Sequence, residues 1–423
     1  MIYEVKPAEG FRCSVNVPGS KSITNRALII GVLASGKTTL ENVLFSDDTR
    51  YMIDALKTLG CDIAIDETNN NVEVNGIRNT SLRGHCFVGN AGTAMRFLPS
   101  FIAVKGGEVE VTGVERMKNR PIDELVNMLR ELGVDVNYLE KEGYPPIKIQ
   151  SKGINGGSLK VKGNLSSQFI SSILLSSPYA KSDVYIEVEE DLVSKPYIDI
   201  TLGIMQEFGV EVENYDYKNF YIRAGQTYES RKYIIESDGS AASYFFAAAA
   251  VAKGDITVKN LNPYSVQGDI RLIDILEKMG AKVERGRDYI RVVGDKLKGI
   301  SVDMNDMPDV AQTLAIVALF AQGPTEIKNV YNMRLKETDR LKALNIELTK
   351  LGAEIIEKKD GLIIYPADDY KPADIDTYDD HRMAMSFAVA GLKIKGIRIK
   401  DPGCVAKTFP EYFKEFEKIY EGV

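Results

Sequence analysis

The feature that most constrains this chain is an internal repeat. An apolar residue followed by glycine and a small or apolar residue recurs at Leu59-Gly60-Cys61, Leu132-Gly133-Val134, Phe208-Gly209-Val210, Met279-Gly280-Ala281 and Leu351-Gly352-Ala353. The glycines are 73, 76, 71 and 72 residues apart. An amphipathic run such as IDELVNMLREL or IRLIDILEKM precedes each glycine, and an alternating segment such as VDVNYLE comes after it. That order predicts a helix, a glycine C-terminal stop and a strand. Upstream of each helix lies a second constant element, a small-residue apolar run, then a glycine or polar turn, then a strand. The six runs begin at SITNRALIIG, GTAMRFLPSF, SSQFISSILL, GSAASYFFAA, MPDVAQTLAI and DDHRMAMSFA. They are apolar nearly all round, as buried helices are, whereas Glu108–Val111 and Ile397–Lys400 alternate as strands do.

Six units of roughly 70 residues fill the 423-residue chain. The sixth, ending FPEYFKEFEKIYEGV, stops before its last strand, and the N-terminal IYEVKP is the expected replacement. The chain should therefore form two α/β domains, each of three repeated helix-strand units. Residues 1–13 with 228–423 are expected to make a discontinuous domain, and 14–227 an inserted one. The two domains are expected to face each other across a cleft. A single array of repeats without a cleft is the alternative.

The stretch GVLASGKT at 31–38 matches the P-loop pattern letter by letter. In register with the other units, however, it lies at the end of a helix and the start of a strand, the reverse of a P-loop. Gly36 then reads as a helix stop and Lys37 as a solvated turn residue. Four scattered cysteines form no C-x-x-C pair, and two histidines are too few for a His-rich metal site. A reducing cytoplasmic setting and the absence of a metal are therefore expected. The charged N-terminus lacks the apolar core of a secretion signal, and no segment offers 18 uninterrupted apolar residues. A net charge of −7 argues against nucleic-acid binding, so an anionic ligand must meet a concentrated cationic patch.

The starts of the six apolar helices supply that patch. A helix N-terminus presents unpaired amides and a positive dipole end. Capping explains Gly, Ser, Thr, Asn and Asp at PGSKSITNR, GNAGTAMR, NLSSQF, SDGSAAS, NDMPDVAQ and YDDHRM, and suffices for SDGSAAS. It does not explain Lys21, Arg26, Arg96 and Arg382, cations that oppose the dipole in the first two turns. Arg120, Lys336, Arg340 and Lys407 come after strands of the second, fifth and sixth units. The ligands inferred from these positions carry several phosphates or carboxylates. Asp309 and Glu337 are the acidic candidates for proton transfer, although Asp309 also reads as a helix cap and Glu337 as a first-turn acid.

In order along the chain, PGSKSITNRAL, GNAGTAMR, RPIDEL, NLSSQF, MPDVAQTLA, NMRLKETDR, DDHRMAMSFA and CVAKTFPEYF resemble the 5-enolpyruvylshikimate-3-phosphate synthases from about residue 6 to 416. The resemblance implies the enolpyruvyl transferase fold, two inside-out α/β domains of three units each, and transfer of the enolpyruvyl group of phosphoenolpyruvate to the 5-hydroxyl of shikimate 3-phosphate, with release of phosphate. It implies no cofactor, and a monomer is expected. Lys21, Ser22, Arg26, Ser166, Ser167, Gln168, Ser194, Asp309, Asn332 and Lys336 match the positions that hold shikimate 3-phosphate, with Tyr197 a lesser contact. Lys21, Gly92, Arg120, Gln168, Arg340, Arg382 and Lys407 match those that hold phosphoenolpyruvate, with Thr93 a lesser contact. Asp309 is similar to the base for the 5-hydroxyl, Glu337 to the group that exchanges a proton with the methylene carbon, and Lys21 to a catalytic cation. Phe97 stands where many members have proline, and Met333 where tryptophan is common. Competition by glyphosate, weakened in Gly92→Ala, is expected. The rivals are the sister transferase acting on UDP-N-acetylglucosamine, whose loop cysteine has no counterpart in VERMKNRPID, an ATP-driven kinase using GVLASGKT, and a noncatalytic repeat scaffold.

Overall fold

The computed structural model describes residues 1–76 and 81–423. It divides into a discontinuous unit, Met1–Pro18 with Glu236–Val423, and an inserted unit, Gly19–Ile235. Each has its own hydrophobic core. The crossings lie several residues beyond those read from the sequence. Arg12–Asn16 is still a strand of the discontinuous unit, paired in parallel with Asp255–Lys259, and Lys232–Ile234 is still a strand of the inserted one, paired in parallel with Lys37–Glu41.

Among the described residues five four-stranded sheets, one in each of the first five repeats, share a single strand order, with a parallel pair leading into an antiparallel hairpin, and a further two-stranded sheet pairs Leu297–Lys298 with Ala321–Gln322. In the second repeat Leu82–Phe87 runs parallel to Gly107–Thr112, which pairs with Ile147–Ser151, which pairs with Asp135–Tyr138. The sixth sheet has three strands. Ile2–Glu4 fills its third place, antiparallel to Ile397–Lys400, as expected of the N-terminal segment. The last of the repeated amphipathic helices, Tyr412–Glu421, lies at the end of the chain.

Inside each unit three helices pack on one another beneath these sheets. Every residue of Lys21–Leu33 from Ile23 onward is buried, as is all of His381–Gly391 and all of Gly239–Val251 except Ser240. The run Ala247 to Ala250 lets the last of these approach its neighbours closely, because small side chains bring backbones together. The strands expose one face and bury the other, as Asp255–Lys259 does with Ile256 and Val258 inside. The glycines that mark the repeat sit at φ 86° (Gly60), 85° (Gly133), 83° (Gly209), 125° (Gly280) and 101° (Gly352). Each therefore ends its helix in the left-handed conformation that favours glycine.

The stretch GVLASGKT joins helix Lys21–Leu33 to strand Lys37–Glu41, so its order excludes a P-loop. Lys37 opens that strand and pairs with Glu73 at 2.7 Å, a correction to its reading as a turn residue.

The N-terminal strand docks against the sixth repeat through Val5, whose amide bonds Ile397 O at 3.0 Å. A Cβ on Gly391 would lie 2.4 Å from Val5 Cβ, whereas one on Gly203, inside helix Lys195–Glu207, would meet nothing within 4 Å. Gly391→Ala should lower stability by about 1–3 kcal/mol through overpacking, and Gly203→Ala should raise it by roughly 0.5–1 kcal/mol. Urea unfolding monitored by circular dichroism checks both, and equal effects would contradict the packing described.

Candidate active site

In the inserted unit the starts of the three buried helices meet. Gln168 Nε2 reaches Thr93 Oγ1 at 3.4 Å, linking the first turns of Ser167–Ser176 and Gly92–Lys105, and Ser166 caps the former by accepting from the Gln168 amide at 3.3 Å. Arg26, in the second turn of Lys21–Leu33, is 1% exposed and ties that helix to Ser167–Ser176 and to Lys195–Glu207. Its Nε donates to Thr201 Oγ1 at 2.7 Å, Nη1 to Ser22 O at 2.9 Å, and Nη2 to Tyr197 O at 3.1 Å and Ser171 Oγ at 3.3 Å. Phe97, the departure from proline, lies 5.1 Å from its guanidinium carbon, a cation–π contact. Burial pulls the Arg26 guanidinium down to about 10, although the neutral acceptors around it are numerous. Arg96 is also turned inward, donating to Pro121 O at 2.9 Å. The compensation for these two dipole-opposing cations is thus found inside the protein.

Lys21 opens its helix and pairs with Asp48 at 3.1 Å. Asp48 is buried in the next helix, and sequence reasoning missed it because the SDD of SDDTR reads as an ordinary helix start. Arg120, buried, donates to Asn90 O and Oδ1 at 3.3 and 3.2 Å, and a Cβ on Gly92 would lie 2.7 Å from its Nη2. Ser194 stands at the start of helix Lys195–Glu207 with φ 58°, its carbonyl accepting from the Tyr197 amide.

The discontinuous unit gathers the opposite kind of chemistry, buried cations on carboxylates. Asp309 Oδ1 meets Arg340 Nη1 at 3.1 Å and Lys336 Nζ at 3.5 Å, while its Oδ2 meets Arg382 Nη2 at 2.9 Å. It lies in the turn Pro308–Val310 and so is no simple helix cap. Arg340, 1% exposed, also bonds Glu337 at 2.8 Å and Asp380 at 2.7 and 3.2 Å. Burial works against its charge, and Asp380, Glu337 and Asp309 together raise its affinity for the proton above the ordinary value. Glu337 precedes helix Arg340–Lys350, whose cap is Asp339, so the first-turn reading of Glu337 gives way to an ion-pair role. Arg382 touches Tyr244 Oη at 3.2 Å and Ser240 Oγ at 3.5 Å, which brings all three helix starts of this unit together. Asn332, Met333 and Lys407 are buried, the last at the end of the turn Pro402–Lys407. Asp380, which caps Arg382 N at 2.9 Å, and Asp269 are further members that sequence reasoning missed. The DDHRM motif contains Asp380, but only the fold shows that it faces Arg340.

Among the described residues no group of His, Cys, Asp and Glu could hold a metal ion, and no helix is long and apolar enough to cross a membrane. In each unit three buried helices start among basic side chains and hydroxyls, an arrangement suited to small polyanions. The model of EPSP synthase (3-phosphoshikimate 1-carboxyvinyltransferase) matches residues 5–416. The chain is similar to the 3-phosphoshikimate 1-carboxyvinyltransferases of Shewanella halifaxensis (strain HAW-EB4), 48% identical over 419 residues, and of Haemophilus influenzae (strain PittGG), 48% identical over 426 residues, with 98% of each chain covered in both cases. Its fold is similar to that of the solved EPSP synthase of Acinetobacter baumannii, with TM-score 0.82 and 25% identity over 99% of this chain and 98% of that one. The chain belongs to the EPSP synthase family and is a transferase. The sister family acting on UDP-N-acetylglucosamine is thereby set aside.

Asp269 is buried and accepts a hydrogen bond from the Ser240 hydroxyl. Burial, and then the charge of Asp309, push its carboxyl up to about 6. A carboxyl raised on folding binds its proton more tightly in the folded chain. The stability it contributes is present near pH 4 and lost as pH rises through about 6. Asp269→Asn should therefore gain roughly 2–3 kcal/mol relative to the parent between pH 4 and pH 7. Urea midpoints of both proteins at the two pH values test this, and a pH-independent difference would refute it.

Proposed function

We propose that this chain transfers the enolpyruvyl group of phosphoenolpyruvate to the 5-hydroxyl of shikimate 3-phosphate. The methylene carbon takes a proton, C2 gains cationic character, and the 5-hydroxyl oxygen attacks it while its own proton passes to Asp309. The tetrahedral adduct then expels phosphate as a proton leaves the new methyl group and the double bond reforms. Glu337 is the group exchanging the proton at that carbon. Lys21, Ser22, Ser166, Ser167, Gln168, Ser194, Tyr197, Asn332 and Lys336 hold shikimate 3-phosphate. Arg26 belongs with them as a brace, since it binds the carbonyls of Ser22 and Tyr197. Lys21, Gly92, Thr93, Arg120, Gln168, Arg340, Arg382 and Lys407 hold phosphoenolpyruvate.

The single observation that carries this reading is Asp309 on three cations, Lys336, Arg340 and Arg382. A carboxylate so placed receives a proton beside groups that can turn to a departing phosphate, and fixed cations in a water-poor site stabilise charge as it develops. The four free cysteines support a cytoplasmic, reducing setting.

A phosphate-release assay with both substrates, then with each omitted, should give product only with the pair. Asp309→Asn and Lys21→Ala should each lower kcat by about 10²-fold or more, with the fold retained at a lower melting temperature because each removes a partner of a buried ion pair. A near-normal rate in either variant breaks the assignment. Gly92→Ala should displace the Arg120 guanidinium, raising KM for phosphoenolpyruvate about tenfold and weakening glyphosate inhibition. Inhibition constants equal to those of the parent would count against that contact.

A further inference from the structure

The loop between strand Ala373–Ile375 and helix His381–Gly391 holds two successive non-glycine residues in the left-handed region, Tyr378 at φ 56° and Asp379 at φ 54°. A bulky residue stays there only where its surroundings over-determine it. The far end of helix Arg340–Lys350 supplies those surroundings. Glu347 is 0% exposed, and its carboxylate accepts from the Tyr378 hydroxyl at 2.6 Å, the Asp376 amide at 3.2 Å and the Lys350 ammonium at 2.7 and 2.9 Å. Lys350 and Lys400 each reach Asp376 at 2.8 Å. Burial, and then the bond to Glu347, raise the Tyr378 hydroxyl above its ordinary value, so it remains a donor.

Two turns earlier on the same face of that helix, Arg340 grips Asp380, the residue after the left-handed pair. The helix thus clasps the loop at both ends. The turn between the clasps aims Asp380 at Arg340 and places it to cap Arg382, both held on Asp309.

We infer that Tyr378 is a positioning residue for the phosphoenolpyruvate-binding cations. Through Glu347 it holds the strained turn that fixes Asp380, and through Asp380 it fixes Arg340 and Arg382. This rests on the proposed role of those two arginines as phosphoenolpyruvate ligands.

Tyr378→Phe removes one oxygen and keeps the ring. In the phosphate-release assay it should raise KM for phosphoenolpyruvate about 5- to 20-fold, with kcat and KM for shikimate 3-phosphate within about twofold. Amide hydrogen exchange across 376–383 should quicken at least about fivefold. Tyr378→Gly relieves the φ strain but lacks the hydroxyl, so it should show the same KM shift even if its melting temperature rises. A KM that stays within about twofold in Tyr378→Phe, a KM restored in Tyr378→Gly, or parallel losses for both substrates would overturn the inference. If the parent releases no phosphate from the pair, the functional reading fails, and the exchange comparison then decides by itself whether Tyr378 holds the turn.

Discussion

The structure depends first on the charge balance around Arg340. A guanidinium removed from water is tolerable only where carboxylates and hydrogen bonds replace its hydration, and removing a partner leaves an uncompensated buried charge. Asp380, Glu337 and Asp309 reach it from three separate segments. The same requirement that makes the buried arginine tolerable therefore fixes the positions of the acidic candidates. Stability and the proposed chemistry share one set of contacts in the discontinuous unit. The inserted unit solves the problem differently, surrounding Arg26 with hydroxyls and carbonyls that carry no net charge. Such a cation keeps its full charge and lends it to the neighbourhood.

Both arrangements derive from the repeat. Three buried helices whose first turns meet bring three dipole ends and their unpaired amides to one place. Thr93 with Gln168, and Ser240 with Arg382, show these meetings directly. Apolar side chains occupy most of the rest of each helix, and the buried hydroxyls found there, such as Ser100 and Ser172, bond one another across the bundle.

Much of this was legible in the sequence because it is local. A glycine after an amphipathic run, a small-residue helix and an alternating strand are each decided within a dozen residues. Their recurrence also overrules the P-loop pattern at GVLASGKT, and it points to the N-terminal segment as the missing strand of the sixth sheet. Most candidate site residues were named through the family resemblance, not through local pattern. Partnerships between distant residues could not be read. Nothing near Arg26 announces Thr201, 175 positions away, and nothing near Asp380 announces Arg340, 40 positions away. Lys37 reads as a turn residue because its partner Glu73 lies on a neighbouring strand. Charge placement was readable, whereas the choice between facing a ligand and facing a partner was made by tertiary contacts.

The pairing of Ile2–Glu4 with Ile397–Lys400 bears on how the molecule is made. Every contact of the inserted unit's core lies within one continuous stretch, so that unit can assemble while the ribosome is still translating the remaining third and more of the chain. The first strand has no such option. It must wait, unpaired, until nearly four hundred further residues have emerged, which makes closure of the last sheet the late, long-range event in biosynthesis.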